Sequence, residues 1–200
     1  MRAETPSWEC PDDPADAARR ATDDELLLVR AARADVAAFA PLYARYQPRV
    51  YRYLRLRVHS DEDAADLTQQ VFIQALDALP RYRERGLPFA AWLFRIARNA
   101  VIDAQRRSRH RAHSPLDGLP EALLVSSSDG PEAAILRQER IDRLRELLAE
   151  LDPEKRELLG LRFAAGLSSR EIAPVVGKRE QAVKRQLTRI IQSLREQYDV

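Results

Sequence analysis

The sequence predicts an all-α protein with two small helical domains, a four-helix domain and a helix-turn-helix domain, joined by a flexible linker. Alanine, leucine and arginine, which favour helix, are abundant in its 200 residues, and no sustained alternation of β-branched residues indicates a strand. All glycines except Gly160 fall where an apolar pattern breaks, so they mark turns between helices. Residues 108–130 carry prolines, glycines and a run of serines instead of a helical pattern, which predicts the linker.

The first domain is expected at residues 22–107 and holds four helices. The first helix begins at Thr22 or Asp23, where acidic residues in the first turn favour a helix start. The second helix runs from Asp35 to Val58, and two prolines within it should kink or divide it.

The third and fourth helices have more specific signals. Ser60 is a good N-cap with Asp63 three positions on, and the third helix should stop at Pro80. Its buried face is predicted from apolar residues spaced four apart: Leu67, Val71, Ala75 and Leu79. The fourth helix should open with Pro88 in its first turn and continue to about Arg107.

The fourth helix is predicted to have two unlike faces. The inward face consists of Leu93, Ile96, Ala97, Ala100 and Val101. The other face stacks Trp92, Arg95, Asn99, Asp103 and Arg106, and the preceding loop adds Arg81, Arg83 and Arg85. An exposed tryptophan among arginines is typical of single-stranded nucleic-acid binding, where rings stack on bases. A buried core position for Trp92 is an equal alternative.

The second domain is expected at residues 131–200. Its first helix carries apolar residues that are alternately three and four apart: Ile141, Leu144, Leu148 and Leu151. The next helix opens at Pro153 and ends at Gly166.

A helix-turn-helix motif is predicted at the end of this domain. Ser168 and Glu171 have the spacing of a capping box, a turn follows at Gly177, and the last helix begins near Arg179. Its apolar stripe is Val183, Leu187, Ile190 or Ile191, and Leu194. Arginine can bond guanine edges, and lysine or threonine can reach phosphates, so the opposite face is expected to bind duplex DNA. That face consists of Arg179, Gln181, Lys184, Arg185, Thr188 and Arg189. A helical hairpin with a solvated basic face is the alternative.

Composition excludes several classes of protein. No apolar run approaches the length of a membrane span, and the N-terminus lacks the apolar segment of a secretory signal. Cys10 is the only cysteine, which excludes an intramolecular disulfide and a multi-cysteine zinc site. A cytoplasmic protein without a cofactor or a bound metal is expected. Residues 1–21 are acidic and are expected to form a disordered tail.

The formal net charge is only +2, but acidic and basic blocks alternate along the chain. Residues 81–111 and 178–195 are basic, which indicates a protein that holds a polyanion at two places. The third helix presents a cluster of acids, Asp61, Glu62, Asp63 and Asp66. A basic protein surface is the expected partner of this cluster, and a divalent metal is a weaker alternative because no histidine or fixed spacing supports it.

Several segments resemble a known family. DLTQQVF from Asp66 and WLFRIARN from Trp92 resemble region 2 of bacterial RNA polymerase sigma factors. LDP from Leu151 and AVKR from Ala182 resemble region 4. Because only these two regions and a short connector are present, the chain resembles the extracytoplasmic-function (ECF) class of the sigma-70 family, over about residues 22–107 and 131–197.

The resemblance implies a transcription initiation factor, not an enzyme, whose partners are core RNA polymerase and promoter DNA, with an anti-sigma factor as a further candidate partner. Binding to the clamp helices of the polymerase is implied for Asp63, Asp66, Gln69, Gln70 and Phe72. Opening and reading of the minus-ten element as single-stranded DNA is implied for Arg81, Arg83, Arg85, Trp92, Arg95, Asn99, Asp103 and Arg106. The last helix would read the minus-thirty-five element as duplex.

Three features depart from the family pattern. Gln70 stands where a carboxylate is more common, which should weaken polymerase binding slightly. Pro174 lies inside the first helix of the helix-turn-helix, where it removes one backbone donor and should bend that helix. The acidic N-terminus, with Trp8 and Cys10, matches nothing in the family's shared core.

Two other functions stay open from the residues alone. A helix-turn-helix regulator that acts without polymerase would leave the acidic helix and the Trp92 face unexplained. A nuclease that uses the acidic cluster has the least support, because the three histidines lie in or next to expected loops without a metal-ligand pattern. The sigma-factor interpretation requires two separate DNA-binding modules. It would fail if Trp92 and its neighbouring arginines were enclosed in one body with the last helix.

Overall fold

The computed structural model describes residues 14–58, 60–83, 87–109, 143–144 and 146–198. Within these ranges every regular element is a helix, so the predicted all-α class is confirmed. None of the described helices is both long enough and apolar enough to cross a membrane. Contacts divide the chain after Leu42 into two units, which are described in turn.

The first unit begins with α1, Pro14–Ala34, which is followed by a 3-10 turn at Val36–Phe39. The prediction that this helix starts at Thr22 or Asp23 is wrong, because Pro14 has a fixed φ that suits the first helical position. The disordered tail expected at residues 1–21 stays a prediction: residues 14–21 belong to α1, and residues 1–13 lie outside the described ranges. Asp35 caps the 3-10 turn, since its Oδ1 accepts a hydrogen bond from the Ala37 N–H at 2.9 Å.

The second predicted helix, 35–58, is divided as expected. The 3-10 turn occupies its start, and α2 then runs over Ala40–Arg55. Pro41 lies in the first turn of α2, where its missing N–H would have no partner. Pro48 lies inside α2 without ending it.

In the second unit, α3 (Asp61–Ala78) and α4 (Phe89–Arg109) pack against each other. The predicted N-cap is confirmed, because the Ser60 Oγ accepts a hydrogen bond from the Asp63 N–H at 3.0 Å. The predicted buried stripe of α3 is confirmed at all four of its positions: Leu67, Val71, Ala75 and Leu79. A 3-10 turn, Leu79–Arg81, ends α3 at the predicted proline.

The same unit continues with α5 (Pro153–Leu159), a π-helical turn (Gly160–Ala164), α6 (Ser169–Val176) and α7 (Glu180–Tyr198). Ahead of α5, residues 143–144 and 146–149 are helical. Of the predicted apolar stripe in that segment, Leu144, Leu148 and Leu151 are only half-buried, and Ile141 lies outside the described residues. Leu147 is the buried residue instead.

The helices of the two expected domains lie against each other. α4 packs on α6, and side chains of α2 bond to Glu157 in α5 and to the Ala165 carbonyl just after the π-helical turn. The expected linker falls within residues 110–142, which the structure does not describe. The domain boundaries at 22–107 and 131–200 stay a prediction.

Candidate nucleic-acid interface

The helix-turn-helix consists of α6, a turn at Gly177 and α7. The predicted capping box is present: the Ser168 Oγ accepts from the Glu171 N–H at 3.3 Å, and the Glu171 Oε2 accepts from the Ser168 N–H at 2.8 Å. Gly177 ends α6 with a φ of +70°, a left-handed conformation that favours glycine. Pro174 costs α6 one backbone donor, yet the helix continues to Val176.

The inward face of α7 fixes its orientation. Val183, Leu187 and Ile190 are buried, so Ile190 rather than Ile191 belongs to the predicted apolar stripe, and its last member, Leu194, is half-buried. The residues predicted to bind duplex DNA are all exposed: Arg179, Gln181, Lys184, Arg185, Thr188 and Arg189. The structure therefore brings this predicted set together on one surface, which we call the α7 basic face.

The side chains of the α7 basic face differ in what already binds them. Lys184 forms an ion pair with Glu180, with 2.7 Å between Nζ and Oε1. The Thr188 hydroxyl donates to the Lys184 carbonyl at 3.0 Å. Arg185 and Arg189 have no hydrogen bond or ion pair with any residue that the structure describes. Their guanidinium donors are available for an anionic or guanine partner.

A cleft of about 380 Å³ adjoins the α7 basic face. Its lining includes Lys155 from α5 and Arg189 from α7, together with Gln186, Ile190 and Ser193. Two cations thus meet at one edge of the helix-turn-helix, which extends the positive surface beyond α7 itself.

The outer face of α4 carries most of the residues predicted for single-stranded DNA. Arg95, Asn99, Asp103 and Arg106 are exposed, and they make no hydrogen bond or ion pair within the described part of the chain. The predicted inward face is confirmed: Leu93, Ala97, Ala100 and Val101 are buried, and Ile96 is half-buried. Arg81 and Arg83 in the preceding loop are exposed, and Arg85 lies outside the described residues.

Of the two alternatives for Trp92, the structure shows the buried position, because its side chain is only 7% exposed. Its ring lies 4.9 Å from that of Tyr82 and 5.4 Å from that of Phe89. The Tyr82 hydroxyl donates to the Leu87 carbonyl at 2.8 Å, which ties Tyr82 to the residues just before α4. Trp92 therefore packs against Tyr82 and Phe89. The neighbouring Arg95 stays exposed. The sigma-factor interpretation would fail if Trp92 and its neighbouring arginines were enclosed together, and only the tryptophan is.

The acidic surface of α3 forms largely as predicted. Asp61, Glu62, Asp63, Asp66, Gln69 and Gln74 are exposed, and Gln70 is half-buried. Phe72 is only 4% exposed and its ring lies 4.7 Å from that of Tyr43, and its part in binding polymerase stays a prediction. The next residue, Ile73, is 60% exposed, and sequence reasoning missed it. Its place in the chain, two positions from the stripe residues Val71 and Ala75 and so on the other side of the helix, was the available signal.

The start of α3 is held to α2 by Asp61. Its carboxylate forms an ion pair with Arg55 and accepts a hydrogen bond from the Tyr51 hydroxyl at 3.2 Å. The Arg55 hydrogen bond, followed by the Tyr51 hydrogen bond, lowers the pKa of Asp61 below its ordinary 3.8. Asp61 is thus occupied within the protein, whereas the neighbouring Glu62 and Asp66 have no such partner among the described residues.

Sequence reasoning also missed a buried acid, Glu157 in α5, which is 5% exposed. The Tyr53 hydroxyl donates to its Oε1 at 2.6 Å, and Arg57 forms an ion pair with its Oε2. Arg98 in α4 lies 3.9 Å away, measured from its Nε to the Glu157 Oε1. Burial, and then the charge of Glu157, raise the pKa of Tyr53 well above 10.0, and Arg57 and Arg98 act in the opposite direction.

Comparisons with known proteins agree with this geometry. The Sigma-70 region 2 family model matches residues 42–111, and the Sigma-70 region 4 model matches residues 141–194. The chain is 37% identical over 178 residues to the ECF RNA polymerase sigma factor SigD of Mycobacterium tuberculosis, which covers 86% of this chain and 82% of the relative. It is 36% identical over 186 residues to the ECF RNA polymerase sigma factor ShbA of Streptomyces griseus, covering 86% of this chain and 96% of that relative.

The fold is also similar to a solved structure, that of CnrH in complex with the cytosolic domain of CnrY. The TM-score is 0.62 at 27% identity, and the match covers 88% of this chain and 97% of the solved chain. Two family models in the expected order, together with relatives above 30% identity that match most of the chain, show its family. The chain belongs to the extracytoplasmic-function class of the sigma-70 family, and it is therefore a transcription initiation factor of RNA polymerase and not an enzyme.

Proposed function

We propose that this factor works in the cytoplasm, where it directs core RNA polymerase to promoters by reading the minus-thirty-five element as duplex DNA and the minus-ten element as separated strands. The observation that carries the proposal is the α7 basic face, on which Arg185 and Arg189 are exposed and lack partners among the described residues. Two arginines one helical turn apart repel each other weakly in water, and a DNA duplex supplies regularly spaced phosphates that neutralise both.

Duplex reading fits the position of each side chain along α7. Recognition helices contact base edges mainly through their N-terminal residues, and Gln181 and Arg185 lie in the first two turns of α7. Arg185 can bond guanine bidentately, whereas Lys184 and Thr188 suit phosphate contacts. The buried stripe on the opposite side of α7 holds this face outward.

Reading of separated strands is supported by the outer face of α4. Arg95 and Arg106 can neutralise phosphates, and the amide of Asn99 between them can both donate to and accept from a base edge. Trp92 is buried, and its ring packs against Tyr82, which lies between Arg81 and Arg83 and so helps to position them.

Polymerase binding is assigned to the acidic surface of α3. Asp66 and Gln69 are exposed there, beside the half-buried Gln70. Ile73 adds an apolar side chain at the same level of the helix, and an apolar contact surrounded by charge is the usual composition of a protein interface.

The duplex contact is tested with Arg185→Ala and a control, Arg52→Ala, which removes the same charge from an exposed position on α2. Promoter binding by the reconstituted holoenzyme is measured over a series of salt concentrations. We expect Arg185→Ala to weaken binding and to reduce the salt slope by roughly one, because one phosphate or base contact is lost. Equal affinities and equal slopes for the two variants would contradict the proposal for α7.

The single-strand contact is tested with Asn99→Ala by permanganate footprinting of the minus-ten element. We expect fewer reactive thymines at equal occupancy of the promoter, because the base contact exists only after the strands separate. Normal melting by this variant would remove α4 from the proposed mechanism.

Co-purification distinguishes this proposal from the alternative function, a regulator that binds DNA without polymerase. The factor should be retained by core RNA polymerase, and Asp66→Ala should weaken retention without changing the binding of duplex DNA. A chain that binds duplex DNA but is not retained would contradict the proposal.

The similarity to CnrH, which was solved with the cytosolic domain of CnrY, supports an inhibitory protein partner, an anti-sigma factor, for this chain as well. Capture of a protein that blocks retention by core polymerase would identify that partner. If the intact factor were fully active at all times in extracts of the cells that produce it, the proposal of an anti-sigma factor would be contradicted.

A further inference from the structure

The cleft between α5 and α7 carries positive charge that no other group in the described part of the chain neutralises. Two of its lining residues are exposed cations, Lys155 from α5 and Arg189 from α7. Neither side chain has a hydrogen bond or an ion pair with a residue that the structure describes. No carboxylate is among the described residues that line the cleft, so a metal cation is a poor occupant and an anion is favoured.

The carboxylate next to Lys155 in the sequence is already bound. Glu154 forms an ion pair with Lys178, which lies between α6 and α7, and the Lys178 Nζ also donates to the Gln186 Oε1 at 3.0 Å. Gln186 lines the cleft, and this hydrogen bond holds its amide in place. Because Glu154 is held by Lys178, the charge of Lys155 is left for another partner.

Arg189 joins the cleft to the α7 basic face. It comes four positions after Arg185 and three positions after Gln186, so on a helix it neighbours both of them. The cleft therefore begins at the flank of the surface proposed to read duplex DNA. The major groove is about 12 Å wide and a helix with its side chains is about 10–12 Å across, so a helix in the groove has a phosphate backbone along each flank.

The size and chemistry of the cleft fit one unit of that backbone. Its volume of about 380 Å³ is near the lower end of ligand pockets, which is about 300 Å³, so it admits a small group such as a phosphate with its sugar. Lysine and arginine form charge-assisted hydrogen bonds with phosphate oxygens, and the hydroxyl of Ser193 can donate another. The buried Ile190 gives the cleft an apolar wall against which a deoxyribose can pack.

We propose that the cleft between α5 and α7 binds one phosphate of the promoter backbone through Lys155, Arg189 and Ser193. This inference rests on the proposed reading of duplex DNA by α7, and it extends the DNA contact to α5, outside the helix-turn-helix. Every nucleotide carries a phosphate, so the contact adds affinity and fixes the position of α7 on the duplex without adding a sequence preference. A free phosphate ion offers the same chemistry, and the experiments distinguish the two sources.

The charge of the contact is tested by promoter binding of the reconstituted holoenzyme over a series of salt concentrations. Lys155→Ala is compared with Arg52→Ala, which removes one exposed charge from α2. We expect Lys155→Ala to reduce the salt slope by roughly one, so that its loss of affinity shrinks about 3.5-fold from about 50 to about 200 mM salt. Arg52→Ala should keep the slope of the parent. Equal slopes for the two variants would overturn the phosphate contact.

The position of the contact is tested with methylphosphonates, each of which removes the charge of a single phosphate. One methylphosphonate at a time is placed along both strands of the minus-thirty-five element in the promoter. We expect one position at which the substitution weakens binding of the parent more than binding of Lys155→Ala, because the variant has already lost part of that contact. Arg189→Ala should show the same reduced effect at the same position, and Arg52→Ala should match the parent. If no such position exists, or if the two cleft variants differ in position, the proposal is wrong.

Two measurements without DNA identify the source of the anion. Inorganic phosphate is added to the full-length chain at constant ionic strength during thermal unfolding, and retention by core polymerase is measured in parallel. We expect Lys155→Ala and Arg52→Ala to behave alike in both. Saturable stabilisation by inorganic phosphate that only Lys155→Ala loses, with no sensitive methylphosphonate position, would assign the cleft to a free ion. Weaker retention of Lys155→Ala would assign it to a protein partner, and either result would overturn the contact with DNA.

Arg185→Ala separates this proposal from the proposed function in the same assays. If Arg185→Ala weakens promoter binding while Lys155→Ala behaves like Arg52→Ala, the phosphate contact is refuted and the proposed function is retained. If Lys155→Ala shows its sensitive phosphate while Arg185→Ala binds the promoter as the parent does, the phosphate contact is supported and the reading of duplex DNA by α7 is contradicted.

Discussion

Replacing Trp92 by alanine tests whether its side chain is buried, which is one of the two alternatives that the sequence left open. The side chain is 7% exposed and packs against the rings of Tyr82 and Phe89, with centroids 4.9 and 5.4 Å away. Truncation of a buried tryptophan to alanine costs about 3–5 kcal/mol, because the transfer free energy of the indole is lost and a cavity remains. The free energy of unfolding of a whole domain is only about 5–15 kcal/mol, so this loss is a large part of it.

The assay is thermal unfolding of the full-length chain followed by circular dichroism. At about 2–4 °C per kcal/mol for a chain of this size, Trp92→Ala should lower the midpoint by about 6–20 °C. The control is Arg95→Ala, which truncates an exposed residue of the same helix with no described partner and should change the free energy of unfolding by less than about 0.5 kcal/mol. Equal midpoints for the two variants would refute the reasoning and restore Trp92 to the surface as a candidate for base stacking.

Three further predictions follow from local contacts. The free energy of unfolding should fall as the pH rises above about 10, because the unfolded chain then releases the Tyr53 proton that the folded chain retains. Tyr53→Phe should remove this part of the pH dependence. A pH profile that Tyr53→Phe leaves unchanged would contradict the raised pKa of Tyr53. Ser168→Ala should lower the free energy of unfolding, measured in urea, by about 0.5–2 kcal/mol, because the Glu171 N–H at the start of α6 loses its side-chain cap. An unchanged free energy of unfolding would count against the capping box. Gln70→Glu should tighten retention by core polymerase, because it adds a carboxylate to the acidic surface of α3; weaker retention would contradict a basic partner surface.

Features fixed by neighbours in the chain were predictable from sequence. The N-cap at Ser60 and the capping box at Ser168 depend on residues three positions away, so their spacing alone predicted them. The α7 basic face was predictable for the same reason, since a helical period decides which side chains oppose a buried stripe. The earlier start of α1 at Pro14 was also readable, because proline suits the first helical position, but the acidic cluster after Thr22 offered a competing start.

Features fixed by distant residues were not predictable. The period of α4 places Trp92 in line with Arg95 and Asn99, and only the folding back of Tyr82 over the start of the helix buries it. Glu157 is the same case at greater range, because the donors that bury it lie 104 and 100 positions earlier in the chain. No local pattern indicates a buried acid, and charged residues are exposed by default.

The contact of Arg49 has a consequence for how the interface between α2 and the segment just before the helix-turn-helix would change in evolution. Its guanidinium bonds to the main-chain oxygens of Ala165 and Gly166, so it recognises a backbone shape and no particular side chain. Paired substitutions in related chains should therefore leave no trace at this contact, whereas exchanges between Glu157 and Arg57 should be correlated. A search for contacts that relies on correlated substitutions would find the ion pair and overlook the guanidinium beside it, although both join the same two parts of the molecule.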